Sequence, residues 1–208
     1  FSQGNRAAKV VALTFDDGPY PPYTDQILDI LKENQVPATF FVVGKNAAKH
    51  PELVKRMADE GHQIGNHTYN QVDLLKMDLK SIANEVDSTS RVIGEITGQL
   101  PGTVRPPHGF RDPVVMDIMA ARHLQVVELS VMSRDWTNPG VDAIVERTVS
   151  KVENGSVVLL HDGDGTAARD SRAQTVEAVR RIIPILRAKG YQFVKVADIL
   201  HTTEDTKQ

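Results

Sequence analysis

Short apolar runs alternate with longer amphipathic stretches along the chain. The apolar runs are rich in β-branched and aromatic residues, which favours strands, and they occupy residues 10–15, 38–43, 63–65, 103–105, 125–129, 157–160 and 192–196. Strands that alternate with helical stretches are typical of a parallel sheet covered by helices. The pattern therefore predicts an α/β protein with about seven parallel strands.

Two of the amphipathic stretches show helical spacing most clearly. Apolar residues recur at i, i+3, i+4 and i+7 over residues 75–96 and 175–189. Gly61, Gly98 and Gly190 follow such stretches at the point where glycine commonly ends a helix. About seven strand–helix repeats predict a closed or nearly closed (β/α) barrel. A doubly wound open sheet is the alternative, because the sequence does not fix the strand order.

Length, charge and cysteine content limit the function classes. A chain of 208 residues suits one domain, which we expect over residues 9–200, with an extension or linker end at residues 1–8 and a polar tail at 201–208. The net charge of -3 comes without a basic cluster, so we expect no nucleic-acid partner. No apolar run reaches the roughly 18 residues that span a bilayer. The absence of cysteine excludes disulfides and thiolate chemistry.

Polar clusters lie where predicted strands end. They occupy residues 16–19, 66–68, 105–109, 134–136 and 161–163. In a (β/α) barrel, the carboxyl ends of the strands meet on one face, and this face carries the catalytic residues. We therefore expect these clusters to form one site.

The acidic and histidine residues of these clusters suit metal and proton chemistry. The adjacent carboxylates Asp16 and Asp17 repel each other unless a cation or a basic partner lies beside them, so one can bind a metal while the other transfers protons. An Asx turn is the alternative. A lone histidine such as His67 is more often structural than a ligand. His161 follows an apolar run, where its proton can be used, although a core or capping role is equally compatible with its position.

Three further residues can support those groups. The carboxylate of Asp135 can fix the tautomer of a histidine, and the indole of Trp136 can stack on a sugar ring, with core packing as the alternative. Arg105 forms either a structural ion pair or the partner that keeps a catalytic aspartate ionised. The remaining histidines lack a companion at ligand spacing, and we assign them no role: His50, His62, His123 and His201.

Five motifs in a fixed order carry a family resemblance over residues 9–198. They are TFDDGP at 14–19, GNHT at 65–68, RPP at 105–107, DW at 135–136 and LLHD at 159–162. In this order they resemble the polysaccharide deacetylases with the NodB homology domain, carbohydrate esterase family 4. The resemblance implies a distorted (β/α) barrel and a hydrolase that removes acetyl groups. It also implies a divalent metal, usually zinc and sometimes cobalt or another transition ion, held by one aspartate and two histidines.

The resemblance also implies a role for each matching residue. Water bound to the metal attacks the acetyl carbonyl, Asp16 is the general base and His161 the general acid. In the family pattern, Arg105 orients Asp16, Asp135 tunes His161, and Asp17 and His67 bind the metal. The backbone N–H of His108, beside Pro107, stabilises the oxyanion. Trp136 and Leu159 wall the acetyl pocket.

The chain departs from the family pattern at the third metal ligand. The family has a second histidine four residues after the first, and Gln71 occupies that position here. A neutral amide oxygen is a poorer zinc ligand than imidazole, so we expect weak metal binding, and Asp73 is a possible substitute. Met132 stands where many members have an acidic residue, and His108 stands where tyrosine is frequent.

Two functional hypotheses follow. The first is an active deacetylase whose substrate is an N-acetylglucosamine polysaccharide, either peptidoglycan or a chitin-like polymer. We expect such an enzyme to be extracytoplasmic and monomeric. The second is a catalytically degenerate member, in which Gln71 has replaced a ligand, that binds carbohydrate or serves as a scaffold. We favour the first, because Asp16, Arg105, Asp135 and His161 are all retained.

Overall fold

Eight parallel strands form one curled sheet in the computed structural model, which describes residues 8–107 and 112–199. The strands are Val10–Asp16 (β1), Thr39–Val42 (β2), Gln63–Asn66 (β3), Thr103–Val104 (β4), Gln125–Val126 (β5), Val131–Met132 (β6), Ser156–His161 (β7) and Gln192–Phe193 (β8). Their order is β5-β4-β3-β2-β1-β7-β6, and β8 pairs with the start of β1. The predicted distorted (β/α) barrel is confirmed.

Helices cover the outside of this sheet. They are Tyr23–Glu33 (α1), Gly44–Lys49 (α2), Pro51–Asp59 (α3), Leu79–Thr97 (α4), Pro113–Ala120 (α5), Val141–Val149 (α6) and Ala173–Ala188 (α7), with 3-10 turns at Leu74–Lys76 and Asp135–Thr137. Within the described residues, no helix is long and apolar enough to cross a bilayer.

Alternate residues of β1 face two different cores, as the twofold period of a strand requires. Val11, Leu13 and Phe15 pack into the large core against the helices. Ala12 points to the other face, where it packs with residues of the strands and of the chain after β8, including Phe41 and Val157. This inner core also contains Val196 and Ile199 from a helical segment at residues 196–199, which follows β8. The strands follow the cyclic order of a barrel that is open between β5 and β6, so the doubly wound alternative is wrong.

The stretch predicted as one strand over residues 125–129 is divided. The backbone N–H of Val127 donates to Val104 of β4 at 2.9 Å, whereas that of Ser130 donates to Val157 of β7 at 3.0 Å. The chain thus crosses from one edge of the sheet to the other, and β6, which the sequence pattern did not predict, forms only after this crossing. The crossing covers the gap between the two edge strands.

The predicted helix over residues 75–96 also begins differently. A 3-10 turn ends before Met77, whose extended backbone separates it from α4. Asp78 caps α4 by accepting a hydrogen bond from the Ser81 N–H at 2.8 Å, and Gly98 ends the helix with φ 79°. The predicted extension at residues 1–8, apart from residue 8, and the tail at 201–208 lie outside the described residues.

Candidate active site

The register of the sheet brings the strand-end clusters together. Asp16 is the last residue of β1 and pairs directly with His161, the last residue of β7. On the other side of β1, the N–H of His67 donates to Val42 O at 3.0 Å and continues the pairing of β3 with β2. The N–H of Arg105 in turn donates to Asn66 O at 2.9 Å. The candidate residues of four strands therefore meet at one end of the sheet.

Glycine is required in the turns that follow β1 and β7, because the two turns touch. A Cβ added at Gly18 would lie 2.1 Å from Asp162 Oδ2, and one added at Gly163 would lie 2.3 Å from Asp17 O. Real Cβ atoms do not approach so closely, so any other residue would push the two strand ends apart.

Arg105 is buried against Asp16. Its Nη1 donates to Asp16 Oδ1 at 2.8 Å and to Thr14 Oγ1 at 2.8 Å. Its Nε and Nη2 donate to the carbonyl oxygens of Val127 and Glu128, both at 3.2 Å. This guanidinium has 4% exposure, and it joins β1 to the crossing segment while it compensates the charge of Asp16.

Asp17 lies between His67 and Gln71. The Nε2 of His67 is 3.1 Å from Asp17 Oδ1, and the amide nitrogen of Gln71 donates to the same oxygen. Burial alone would raise the pKa of Asp17, but the hydrogen bond and charge of His67 outweigh burial and lower it. Burial would likewise lower the pKa of His67, but the charges of Asp16 and Asp17 raise it.

Asp135 holds His161 through two hydrogen bonds. The Nδ1 of His161 is 2.8 Å from Asp135 Oδ1, and its backbone N–H donates to Asp135 Oδ2 at 2.7 Å. Thr175 Oγ1 also donates to Oδ2, at 2.9 Å. Burial would lower the pKa of His161, but the Asp135 carboxylate outweighs burial and raises the pKa to about 9. The ring nitrogen Nε2 faces Asp17 Oδ2 at 3.9 Å.

These residues surround one cavity of about 690 Å³. Its lining combines the expected polar groups with an apolar wall: Asp16, Asp17, His67, Gln71, Arg105, Pro106, Pro107, Val126, Val127, Glu128, Leu129, Met132, Trp136, Leu159, His161, Asp164, Asp170 and Arg172. The indole of Trp136 meets the ring of His161 edge to face, with 5.3 Å between the ring centres. Asp135 is fully buried behind His161.

Two further residues were expected to contribute. His108 is outside the described residues. Asp73, the possible substitute ligand, caps the 3-10 turn by accepting from the Leu75 N–H at 3.2 Å, and its other oxygen pairs with Lys76 at 3.3 Å. Asp73 also does not line the cavity, so the expectation that Asp73 could substitute for the third metal ligand is wrong.

Sequence reasoning missed Arg172, which lines the cavity although it is only 2% exposed. Its Nε donates to Gly163 O at 2.8 Å, and its Nη2 pairs with Asp164 at 3.2 Å. It therefore fixes the loop after β7. No local sequence signal distinguishes a buried arginine in a polar loop from an exposed one.

The donors fit a divalent ion only in part. Nδ1 of His67 lies 2.6 Å from Arg105 O, so this nitrogen carries a proton, which is the usual support of a metal-ligating histidine. Nε2, which faces Asp17 at 3.1 Å, is the nitrogen that would coordinate an ion. Gln71 adds a neutral amide whose nitrogen faces Asp17. Among the described residues, no three His, Cys, Asp or Glu side chains are grouped to hold a metal. The set thus suits a loosely held ion.

Comparisons with known proteins agree with this geometry. The family model described as polysaccharide deacetylase matches residues 3–127. A chitooligosaccharide deacetylase of Bradyrhizobium sp. (strain ANU 289) is 42% identical over 189 residues, which cover 88% of this chain and 86% of that protein.

Solved structures share the fold. The Bc1960 peptidoglycan N-acetylglucosamine deacetylase, in complex with a naphthalenyl N-oxidanyl-benzamide, superposes with a TM-score of 0.88 and 35% identity, covering 95% of this chain and 91% of that one. A mutant of BA3943, a carbohydrate esterase family 4 pseudoenzyme from Bacillus anthracis with restored enzymatic activity, has a TM-score of 0.88 and 28% identity, covering 97% and 71%. This chain therefore belongs to the polysaccharide deacetylase family and is a hydrolytic deacetylase.

Proposed function

We propose that this protein removes acetyl groups from an N-acetylglucosamine polymer, with Asp16 as general base and His161 as general acid. Asp16 accepts the proton of the attacking water, and His161 gives a proton to the departing nitrogen. Trp136 and Leu159 wall the acetyl methyl group, and the backbone N–H of His108 beside Pro107 donates to the oxyanion.

One observation carries the proposal: two charge-compensated acid–base pairs meet in a single cavity. Arg105 donates to Asp16 Oδ1 at 2.8 Å and compensates the charge of this carboxylate. Asp135 compensates His161 and holds it in the form that donates one. A general base and a general acid with opposite environments are the pattern expected for hydrolysis at one carbonyl. A purely binding site has no use for this separation.

Asp17 and His67 would hold the divalent ion, zinc first and cobalt or another transition ion second, with the amide oxygen of Gln71 as a weak third donor. Such an ion polarises the acetyl carbonyl and lowers the pKa of water when it is bound. The hydrogen bond between Arg105 O and His67 keeps the imidazole oriented for it.

The substrate and location follow from the relatives. Their printed names give chitooligosaccharide and peptidoglycan N-acetylglucosamine as the deacetylated polymers. We infer that the substrate of this chain has the same N-acetylglucosamine units, and that the protein acts outside the cytoplasm, where such polymers occur.

Acetate release from chitin oligomers and from purified peptidoglycan, measured with added zinc or cobalt, tests the proposal. We expect the unchanged protein to release acetate, and Asp16→Asn and His161→Ala to release none while keeping the circular dichroism of the fold. The matched control is Asp117→Asn, since Asp117 is exposed on α5. Release by either site variant would show that the base or the acid has been misassigned.

Gln71 favours a second candidate, a sugar-binding protein without catalysis, because its amide pairs with Asp17 where a ligand to a metal is expected. The two candidates give different outcomes in one experiment. Binding of chitin oligomers without acetate release at saturating zinc would support the second, and release would exclude it.

A further inference from the structure

Glu85 of α4 is a nearly buried carboxylate whose hydrogen bonds all end in the turn that leads to Gln71. Its Oε2 accepts from the backbone N–H of Tyr69 at 2.9 Å and of Asn70 at 2.8 Å. Its Oε1 accepts from the side-chain nitrogen of Asn70 at 2.7 Å. Glu85 is only 7% exposed, so these donors replace most of the water that the carboxylate would otherwise bind.

The charge of Glu85 is met by neutral donors alone. Within residues 8–107 and 112–199, no ion pair includes this carboxylate, although another acidic residue of the same helix does form one. Arg122 pairs with Asp87 at 2.5 Å. Hydrogen bonds to an ionised acceptor are about twice as strong as neutral ones. A buried carboxylate with three such bonds to one turn therefore holds that turn tightly.

The same turn is also fixed from its other side. The N–H groups of Gly44 and Lys45 at the start of α2 donate to the carbonyl oxygens of Thr68 at 2.9 Å and Tyr69 at 3.0 Å. The carbonyl groups of the turn thus bind α2, while its N–H groups bind Glu85. The turn has little freedom between the two helices.

The position of this turn determines where the side chain of residue 71 lies. Gln71 follows Asn70 directly and has a φ of 53°, in the left-handed region, so its direction depends on the backbone before it. From there its amide reaches Asp17 and packs against the backbone of Gly165, where a Cβ would lie 1.5 Å from Gln71 Oε1. Within the described part of the chain, the bonds of Glu85 are the hydrogen bonds that tie residues 69 and 70 to α4.

We propose that Glu85 is the positioning residue for the third donor of the site. It acts through the backbone of Tyr69 and Asn70 and has no contact with the substrate or the ion. The inference rests on the proposed function in one respect, that the donor at position 71 serves a divalent ion.

Cobalt titration of the metal-free protein by calorimetry and visible absorption tests the inference. We expect Glu85→Ala in a Gln71→His background to weaken cobalt binding about 10- to 100-fold, as loss of a supporting hydrogen bond does at other metal sites, and to change the ligand-field bands. The matched control is Glu95→Ala, an exposed glutamate on the same helix, which should change neither. Unchanged affinity in the Glu85→Ala protein would overturn the inference.

A second measurement does not depend on metal. The chain contains no cysteine, so Gln71→Cys introduces a single thiol beside Asp17, and its alkylation rate in chelator-treated buffer reports how firmly position 71 is held. We expect Glu85→Ala to raise that rate about tenfold, the effect of losing a hydrogen bond to a charged group. The control is Ala47→Cys at a buried position. Its thiol should be alkylated slowly both with and without the Glu85→Ala substitution.

The two measurements separate the two failures. If the Gln71→His protein binds no cobalt while the thiol at position 71 becomes reactive on loss of Glu85, the metal site of the proposed function is wrong and the positioning role stands. If cobalt binds and neither measurement responds to Glu85→Ala, the positioning role is wrong and the metal site stands.

Discussion

Replacing Asp135 by asparagine should remove the general acid at alkaline pH. His161 offers two N–H donors to Asp135, one to each carboxylate oxygen, at 2.7 and 2.8 Å. Asparagine has one acceptor oxygen and an NH₂ group. Either the backbone N–H of His161 loses its partner, or the NH₂ group faces Nδ1 and stabilises the tautomer protonated on Nε2 alone. In both cases, the negative charge that favours the imidazolium is gone.

The size of the effect follows from the pKa of His161. With Asp135 present, the pKa is about 9, so about 90% of the rings are protonated at pH 8. Without that carboxylate, burial opposes protonation and only the charges of Asp16 and Asp17 still favour it, so the pKa falls. If the fall reached the ordinary histidine value of about 6.5, about 3% of the rings would be protonated at pH 8. Acetate release at pH 8 should therefore fall by up to about 30-fold, and by less at pH 6, where most of the rings are protonated in both proteins.

The assay is the pH dependence of kcat for acetate release between about pH 5.5 and 10, with saturating metal, for the unchanged protein, Asp135→Asn and the surface control Asp117→Asn. The alkaline limb should move to lower pH, by up to about two pH units, in Asp135→Asn alone. The ring pKa of His161, followed by NMR in the metal-free proteins, should move with it. An alkaline limb that stays in place would refute the assignment of His161 as the acid.

Three further changes have defined outcomes. Gln71→His should tighten zinc binding at least about tenfold, since imidazole is the better zinc ligand; equal affinities by calorimetry would show that position 71 does not face the ion. Arg105→Met should lower the free energy of unfolding by about 3–5 kcal/mol in urea titrations, because it removes the hydrogen-bonded partner of the buried Asp16 and leaves only His67, 3.9 Å away. A loss below about 1 kcal/mol would show that water or His67 replaces the guanidinium. Burial lowers the pKa of His62 to about 4. As the pH falls below about 6.5, the His62 ring is therefore protonated in the unfolded chain before it is protonated in the folded protein. Stability present at pH 7 should drop by about 2 kcal/mol by pH 5 through this group, and His62→Gln should abolish that part of the loss.

The sequence predicted which polar residues meet at one end of the sheet better than it predicted the strands themselves. Residues separated by up to 145 positions, from Asp16 to His161, were placed together because each follows a strand, and strands of a parallel barrel end on one face. The chain crossing at residues 127–130 was not predictable. Strands of two residues, such as β5 and β6, show no periodicity, and the long-range pairing of Ser130 with β7 has no local signal.

Single charged residues account for the remaining misses. Arg172 and Glu85 are nearly buried, yet charged residues in loops and helices are usually exposed. For Glu85 a signal was present. Residues 82, 86, 89 and 93 form the buried stripe of α4, and position 85 lies on that stripe. A charged residue on the apolar face of a predicted helix therefore marks a buried polar contact, which sequence reasoning can look for directly.

The geometry of the site also explains how the residue at position 71 can differ from the family pattern while the rest of the site is kept. Arg105 compensates Asp16 from the end of β4, and Asp135 compensates His161 from the turn after β6. Neither pair includes position 71, whose side chain touches Asp17 and the backbone of Gly165. A substitution at position 71 therefore acts first on Asp17 and on the ion we propose, while the supports of the base and the acid stay in place. Because the imidazole Nε2 and the glutamine amide extend about equally far from the backbone, we expect Gln71→His to need no compensating change elsewhere in the chain.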